Sequence, residues 1–231
     1  RSKAPPKLIE MPAELIAAVR VLASDIIRQI NEGRPVEYKN VEIEGELDLT
    51  NLENRRQRRS SSGLFDFGNN DLFESNVEVT VRFTNCTFLG DVLAYYHLER
   101  HNETYIAHFE KDAVFKDCTF RRASEFKYSE FNGAVSFEGS MFNEEANFKY
   151  AEFSTGPVFR AVMFDRGADF KYTEFPRETS FEKASFRGLA NFKYAKFRKP
   201  LNLTGTSFQG REDFKYTKVD GQSMTSYLLQ R

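Results

Sequence analysis

Ala146-Asn147-Phe148-Lys149-Tyr150, Ala168-Asp169-Phe170-Lys171-Tyr172 and Ala190-Asn191-Phe192-Lys193-Tyr194 are almost the same five residues, repeated every 22 positions. Phe-Lys-Tyr also begins at Phe126 and Phe214. Between these blocks the phenylalanines keep a stricter beat. From Phe115 through Phe120, Phe126, Phe131 and Phe137 to Phe197 the gaps alternate five and six, and Leu203, Phe208, Phe214 and Val219 continue the rhythm. A helix would place apolar residues three and four apart, and a half-buried strand would place them at every second position. Neither pattern fits. Four gaps sum to 22 residues, so the sequence describes a coil of four short faces, each sending one large apolar side chain to a common axis. Stacked coils then set like residue above like residue at the strand spacing of about 4.8 Å.

The positions around each Phe agree with that picture. Two residues ahead of the first-face Phe stand Ser124, Ala146, Ala168 and Ala190, and ahead of the second-face Phe stand Ser129, Ala151, Thr173, Ala195 and Thr217. Small inward residues thus alternate with large ones, with a polar outward residue between. Glu212 breaks the rule and marks a distorted last coil. The chain of 231 residues holds 24 Phe, 10 Tyr and no Trp, and this architecture accounts for the excess of Phe.

These blocks resemble the pentapeptide-repeat family, whose motif is a small residue, Asp or Asn, Leu or Phe, a polar residue, and often Gly. The resemblance covers residues 77–219, with one interruption. It implies an all-β solenoid, a right-handed quadrilateral β-helix of 22 residues per coil with the small residue and the Phe inside. The chain departs from the motif in carrying Tyr where Gly is common and a sixth residue in every second repeat. The expected organisation is a tail and capping helix over 1–40, a β-helix over 41–219 with insertions near 53–76 and 94–103, and a C-terminal cap or tail over 220–231.

The apolar stripe Leu15, Ile16, Val19, Leu22, Ile26, Ile27 and Ile30 predicts one amphipathic helix over 12–32, between Pro12 and Gly33, closing the open end that a solenoid must cover. Residues 41–52 read as a first coil in Leu and Ile. The insertion after it carries Arg55, Arg56, Arg58 and Arg59 before Ser60-Ser61-Ser62-Gly63, and reads as a mobile basic loop able to dock an anionic partner. Residues 81–88 match 113–120 at a separation of 32, one period plus ten, which places the second insertion. The same offset sets Cys86 and Cys118 in one inward slot on adjacent coils. Their Cα atoms then fall within disulfide range, but two buried free thiols are the preferred reading.

Charge and motifs narrow the function. Lys plus Arg is 33 against 34 for Asp plus Glu, a net charge of -1. Residues 1–110 carry 13 basic and 18 acidic residues, and residues 111–231 carry 20 and 16. No apolar run is long enough to span a bilayer. His97, His101 and His108 are the metal candidates, the first two spaced for one helical face, but proximity alone makes no site and HExxH is absent. No nucleophile elbow, phosphate loop or dinucleotide fingerprint occurs, so no catalytic residue, cofactor or small-molecule substrate is expected.

The most distinctive surface is a column of Lys127, Lys149, Lys171, Lys193 and Lys215 beside a column of Tyr128, Tyr150, Tyr172, Tyr194 and Tyr216. Read structurally, these are stabilising ladders; read functionally, they form a flat face for another protein. The leading expectation is a non-enzymatic, cytoplasmic protein-interaction scaffold with an unidentified protein partner. A homodimer through the C-terminal end is a further expectation. By resemblance to the quinolone-resistance members of the family, the alternative is a DNA-mimicking modulator of a topoisomerase such as gyrase. The basic repeat region argues against mimicry, and the overall net charge of -1 favours neither nucleic acid nor a basic partner.

Overall fold

The computed structural model describes residues 18–58 and 71–230. Over these the chain is an all-β solenoid of four faces. Each face is a stack of short parallel strands, one from each coil. The first face contains Ser124–Glu125, Ala146–Asn147, Ala168–Asp169 and Ala190–Asn191; the second contains Glu130–Phe131 and Glu152–Phe153. The third contains Ala113–Lys116 and Val135–Ser136, and the fourth Thr119–Phe120, Met141–Phe142 and Met163–Phe164. Register follows the period: Ala146 lies beside Ala168, Phe142 beside Phe164, and Phe131 beside Phe153.

The core is made of these phenylalanines. Phe126, Phe137, Phe148, Phe159 and Phe170 are completely buried. On the first face, ring centroids are separated by 5.1 Å from Phe126 to Phe148, 5.0 Å to Phe170 and 4.9 Å to Phe192, with planes nearly parallel. Across the axis the rings meet edge-on, as Phe148 meets Phe159 at 5.5 Å and 84°. Both arrangements suit the aromatic quadrupole. Small residues fill the remaining slots. Some of their hydroxyls are satisfied across coils, as Thr173 Oγ1 donates to Phe148 O at 2.7 Å and Ser140 Oγ to Phe115 O at 2.7 Å, while Ser124 Oγ and Ser129 Oγ are buried without a hydrogen-bond partner among the described residues.

The alternation of five and six comes from two kinds of corner. The short gap is a tight turn. Ser129 N–H donates to Phe126 O at 3.1 Å and Ala151 N–H to Phe148 O at 2.9 Å, enclosing Lys and Tyr. The third residue of that turn has positive φ: 60° at Tyr128, 58° at Tyr150, 59° at Tyr172, 61° at Tyr194 and 62° at Tyr216. That conformation is why Gly is common there, since a side chain costs energy in it. The opposite corner repeats the geometry with Asp117, Gly139, Ala161, Lys183 and Gly205. The six-residue gaps are the wider corners, and there successive coils come very close. A Cβ on Gly188 would lie 2.0 Å from Arg166 O.

The N-terminal end departs from the single predicted helix. Val19–Leu22 is a strand, parallel to Val41–Glu44 with Val19 opposite Val41, again 22 residues apart. Helix α1 runs only over Ala23–Asn31. Pairing with the fourth face gives the backbone of Val19, Arg20 and Val21 a sheet edge, a better fit for β-branched residues than the first turn of a helix. Leu15 and Ile16 lie outside the described residues. Ala23, Ile26 and Ile30 of α1 are buried over the first coil, so the capping role holds for the shorter helix. Residues 41–52 form a coil in which Ile43, Leu47, Leu49 and Leu52 are buried.

Both insertions build strands and enlarge the second face. Arg56–Arg58 pairs antiparallel with Asp71–Val77, so the described part of the first insertion is sheet rather than loop. Arg59 and Ser60 to Gly63 lie outside the described residues. Asp71–Val77 pairs in parallel with Glu103–Phe109, which pairs antiparallel with Tyr95–Leu98. The second insertion is thus a β-hairpin, and the helical spacing of His97 and His101 is not realised. At the C-terminal end Glu212 is exposed where Ala190 beneath it is buried, and Phe208 and Phe214 are only half-buried. Helix α2, Met224–Leu228, covers part of this end with Met224 and Tyr227, whose hydroxyl donates to Leu201 O at 3.0 Å. Cys86 and Cys118 are free and buried. No helix among the described residues is long and apolar enough to cross a membrane.

Replacing Phe148 with Ala removes a fully buried ring from the middle of a stack and should cost about 3–5 kcal/mol. Phe208→Ala, at the half-open end, should cost roughly 1–2 kcal/mol. Urea unfolding of the two variants checks the order. Equal losses would mean that the rings at the centre and at the end contribute alike.

Candidate interaction surface

The tight corner between the first and second faces positions the lysines and tyrosines. Phe points inward, Lys and Tyr occupy the two central positions of the turn and point outward, and the next small residue returns inward. The polar residue ahead of each Phe fixes the turn as well as balancing charge. Asn147 Oδ1 accepts from Lys149 N–H at 3.1 Å, Asp169 Oδ1 from Lys171 N–H at 2.9 Å, and Asp213 Oδ1 from Lys215 N–H at 2.9 Å. This local bond is the reason Asp and Asn suit such turns.

The five tyrosines form one stack. Centroids are 4.9 Å apart from Tyr128 to Tyr150, then 4.8 Å to Tyr172, 4.7 Å to Tyr194 and 4.8 Å to Tyr216. Between Tyr128 and Tyr216 each ring stacks on its neighbours, so hydroxyls and ring edges are what the middle of the stack presents, while Tyr216 ends it and is exposed. Each lysine folds over the tyrosine that follows it. Nζ lies 5.0 Å from the Tyr128 centroid, 5.3 Å from Tyr150, 5.1 Å from Tyr172, 5.4 Å from Tyr194 and 5.0 Å from Tyr216. This cation–π contact holds the ammonium groups in a row.

Elsewhere on the tube, some charges are paired between coils. Arg160 meets Glu138 at 3.0 Å and Arg187 meets Asp165 at 2.9 Å, and Lys196 meets Glu174. Among the described residues none of the five column lysines is in an ion pair. Burial first, and then the neighbouring Lys149 ammonium, pulls the Lys127 pKa down. Burial pushes the Tyr128 phenol up to about 12, with Tyr150 adding to the effect. Burial also raises Asp169 and Glu125 behind the column.

The column has one more aromatic member than the repeats indicated. Tyr95, at the root of the hairpin, lies 6.0 Å from Tyr128 at 50°, and Lys127 Nζ is 4.7 Å from its centroid and 3.3 Å from its hydroxyl. The offset of 32 that relates 81–88 to 113–120 sets Tyr95 opposite Lys127, so the signal was present in the spacing.

Of the arginine and histidine candidates, Arg55, Arg58, His97 and His108 make contacts within the chain, Arg56 and His101 are exposed, and Arg59 lies outside the described residues. Arg55 stacks its guanidinium 5.2 Å from the Tyr105 centroid and 5.7 Å from Phe73, and Nη1 donates to Asn51 Oδ1 at 2.8 Å. Arg58 is paired with Glu74 at 2.9 Å, and Arg56 is exposed in the same strand. His97 Nδ1 is 3.0 Å from Thr104 Oγ1. His108 is buried; its Nδ1 accepts from Glu130 N–H at 3.1 Å while Nε2 lies 3.5 Å from Glu74 Oε1. Those two contacts assign the neutral tautomer with hydrogen on Nε2. The hydrogen bond from His108, with the Arg58 charge, holds the Glu74 carboxyl below its usual range despite partial burial. His97 and His101 are separated by strand and turn geometry, and no group of three potential metal ligands converges among the described residues. One depression of about 360 Å3 lies on the second face near the C-terminal end, beside Lys196, Arg198 and Lys218. It brings no nucleophile together with a base.

Residues 107–152 and 126–174 match the family described as Pentapeptide repeats (9 copies). No curated protein and no solved structure matches the chain. The matched stretches fall on the coils whose first-face corners carry Phe-Lys-Tyr, and the same cadence and register continue beyond them to Val219. A four-faced stack of 22-residue coils, with small residues and Phe inside, agrees with that match: residues 107–174 are pentapeptide repeats.

Proposed function

We propose that the chain is a non-enzymatic interaction module whose docking surface is the Lys/Tyr corner, from Tyr95 and Lys127 to Lys215 and Tyr216. The single observation that carries this reading is a row of five ammonium groups set beside stacked rings at strand spacing, none of which is in an ion pair among the described residues. A rigid cationic strip of this kind complements an acidic strip on another protein. Within the stack, from Tyr150 to Tyr194, neighbouring rings leave no room for a base or sugar to lie flat, so recognition along the column rests on ammonium and hydroxyl groups. The cationic character favours an acidic protein surface over DNA mimicry, which needs a strongly acidic face. Solenoids bind through such long regular surfaces.

A triple variant Lys149→Gln, Lys171→Gln, Lys193→Gln should keep the fold and lose partners captured by the wild-type chain. Tyr150→Gly, Tyr172→Gly, Tyr194→Gly tests the ladder with the residue that the positive φ tolerates best. Quantitative capture with increasing salt is the measurement, and partners retained at wild-type level by both variants would remove the column from the function.

The stack also reports on its own electrostatics. Tyr128 has a folded pKa above its unfolded value, so its contribution is fully present below about pH 10 and is lost as pH rises towards about 12. Phenolate absorbance should show Tyr128 titrating late, and Tyr128→Phe should flatten the loss of stability over that window. Titration of all tyrosines together near pH 10 would mean that the column is not desolvated.

A further inference from the structure

Cys86 and Cys118 take no part in the surface described above. They stand one above the other in the slot two residues ahead of Phe88 and Phe120, a slot that Ser140, Val162 and Ala184 occupy in later coils. The flanking strands are in register, with Phe83 opposite Phe115 and Thr87 opposite Thr119, and Thr119 N–H donates to Cys86 O at 2.8 Å. Paired strands set facing Cα atoms about 4.8 Å apart, inside the disulfide range. Both residues are 1% exposed, and their thiols face backbone carbonyls: Thr84 O at 3.3 Å and Tyr38 O at 3.5 Å from Cys86 Sγ, and Lys116 O at 3.4 Å and Phe83 O at 3.5 Å from Cys118 Sγ. The thiols also touch each other. Hydrogen bonding from Cys118 holds the Cys86 thiol below the usual range, while the same contact and burial push Cys118 up. When Cys86 loses its proton, the Cys118 S–H is placed to donate to the resulting thiolate.

We propose that Cys86 and Cys118 are a modification site, a dithiol that a hydroperoxide closes into a disulfide between adjacent coils. In the first step the Cys86 thiolate attacks a peroxide oxygen. The S–O bond forms, the O–O bond breaks, and the departing hydroxide takes a proton to leave as water, giving a sulfenic acid. In the second step Cys118 sulfur attacks the sulfenic sulfur. The S–S bond forms, the S–O bond breaks, and the hydroxyl leaves as a second water with the Cys118 proton. The two thiols lose two electrons and the peroxide gains two. Hydrogen peroxide is small enough to enter during local opening of the coil. The closed loop contains the hairpin of Tyr95–Leu98 and Glu103–Phe109, so the staple ties down the insertion from which the tyrosine column starts.

The test is to treat the whole chain with hydrogen peroxide, alkylate the remaining thiols under denaturing conditions and weigh the intact protein. The expected product is monomeric, has lost two hydrogens, takes up no alkylating agent, reverts with dithiothreitol, and melts roughly 5–10 °C higher. Cys86→Ala and Cys118→Ala serve as controls that fold, because Ala184 fills the same slot two coils on from Ser140. Neither control should lose two hydrogens. The proposal is overturned if both thiols of the wild-type chain remain open to alkylation, if oxygen is added with no disulfide, or if the bond forms only between chains.

Discussion

Stacking of like on like governs this molecule. The strand amides of a coil bond to the coil before or after it, so no coil can satisfy its polar groups alone. Placing Phe above Phe on every face converts that hydrogen-bond register into a packing register, since a shift by one residue would turn the rings outward and polar groups inward. A shift by a whole coil is not penalised in the same way, because Ala146-Asn147-Phe148 and Ala168-Asp169-Phe170 are interchangeable in the middle of the tube. The irregular parts remove that ambiguity. The Leu/Ile coil under α1, the strands of the two insertions, and α2 with Met224 and Tyr227 each fit only one place. The regular repeats supply cohesion, and the exceptions supply uniqueness.

The same turn that closes the core also creates the exposed column. A gap of five residues between inward rings requires a tight corner, and a tight corner displays its two central residues. Repetition then aligns those residues at the separation of the strands, whatever they are. On the opposite tight corner the central residues vary, from Asp117 to Gly139 to Ala161 to Lys183, and no column of one chemistry arises. On the first-face corner they are Lys and Tyr five times over. Two corners of identical backbone geometry with such different side chains show that the tube does not itself demand Lys and Tyr.

The repeats were legible because their period is set by backbone geometry and is printed directly in the positions of Phe, from Phe115 to Phe197. The inward slot of Cys86 and Cys118 followed from the same arithmetic. The ends and insertions were less legible. Val19 to Leu22 carries an apolar spacing that serves a helix or a strand, and only the unsatisfied edge of Val41–Glu44 decides between them. Arg55 looked like part of a solvated basic run because the rings it covers, Phe73 and Tyr105, are distant in sequence. His108 is likewise fixed by partners that local sequence does not reveal, Glu74 and the amide of Glu130. The polar residue ahead of each Phe was legible as charge balance, while its turn-capping bond required coordinates.

Tyrosine at the positive-φ position raises a question of energy. A side chain there costs of order 1 kcal/mol or more relative to Gly. Stacking on a neighbour contributes about 0.5–1.5 kcal/mol, and the lysine over the ring about 0.5–1 kcal/mol at a partly exposed site. These contributions roughly offset the strain, so stability alone gives little reason to prefer Tyr over Gly at five successive corners. Tyrosine differs from Gly in what it presents. It extends the corner outward, excludes water from one side of each ammonium, and fixes five cations in a line that flexible lysines beside glycines would not hold. A position that is nearly neutral for folding and highly ordered at the surface is best understood through what that surface meets.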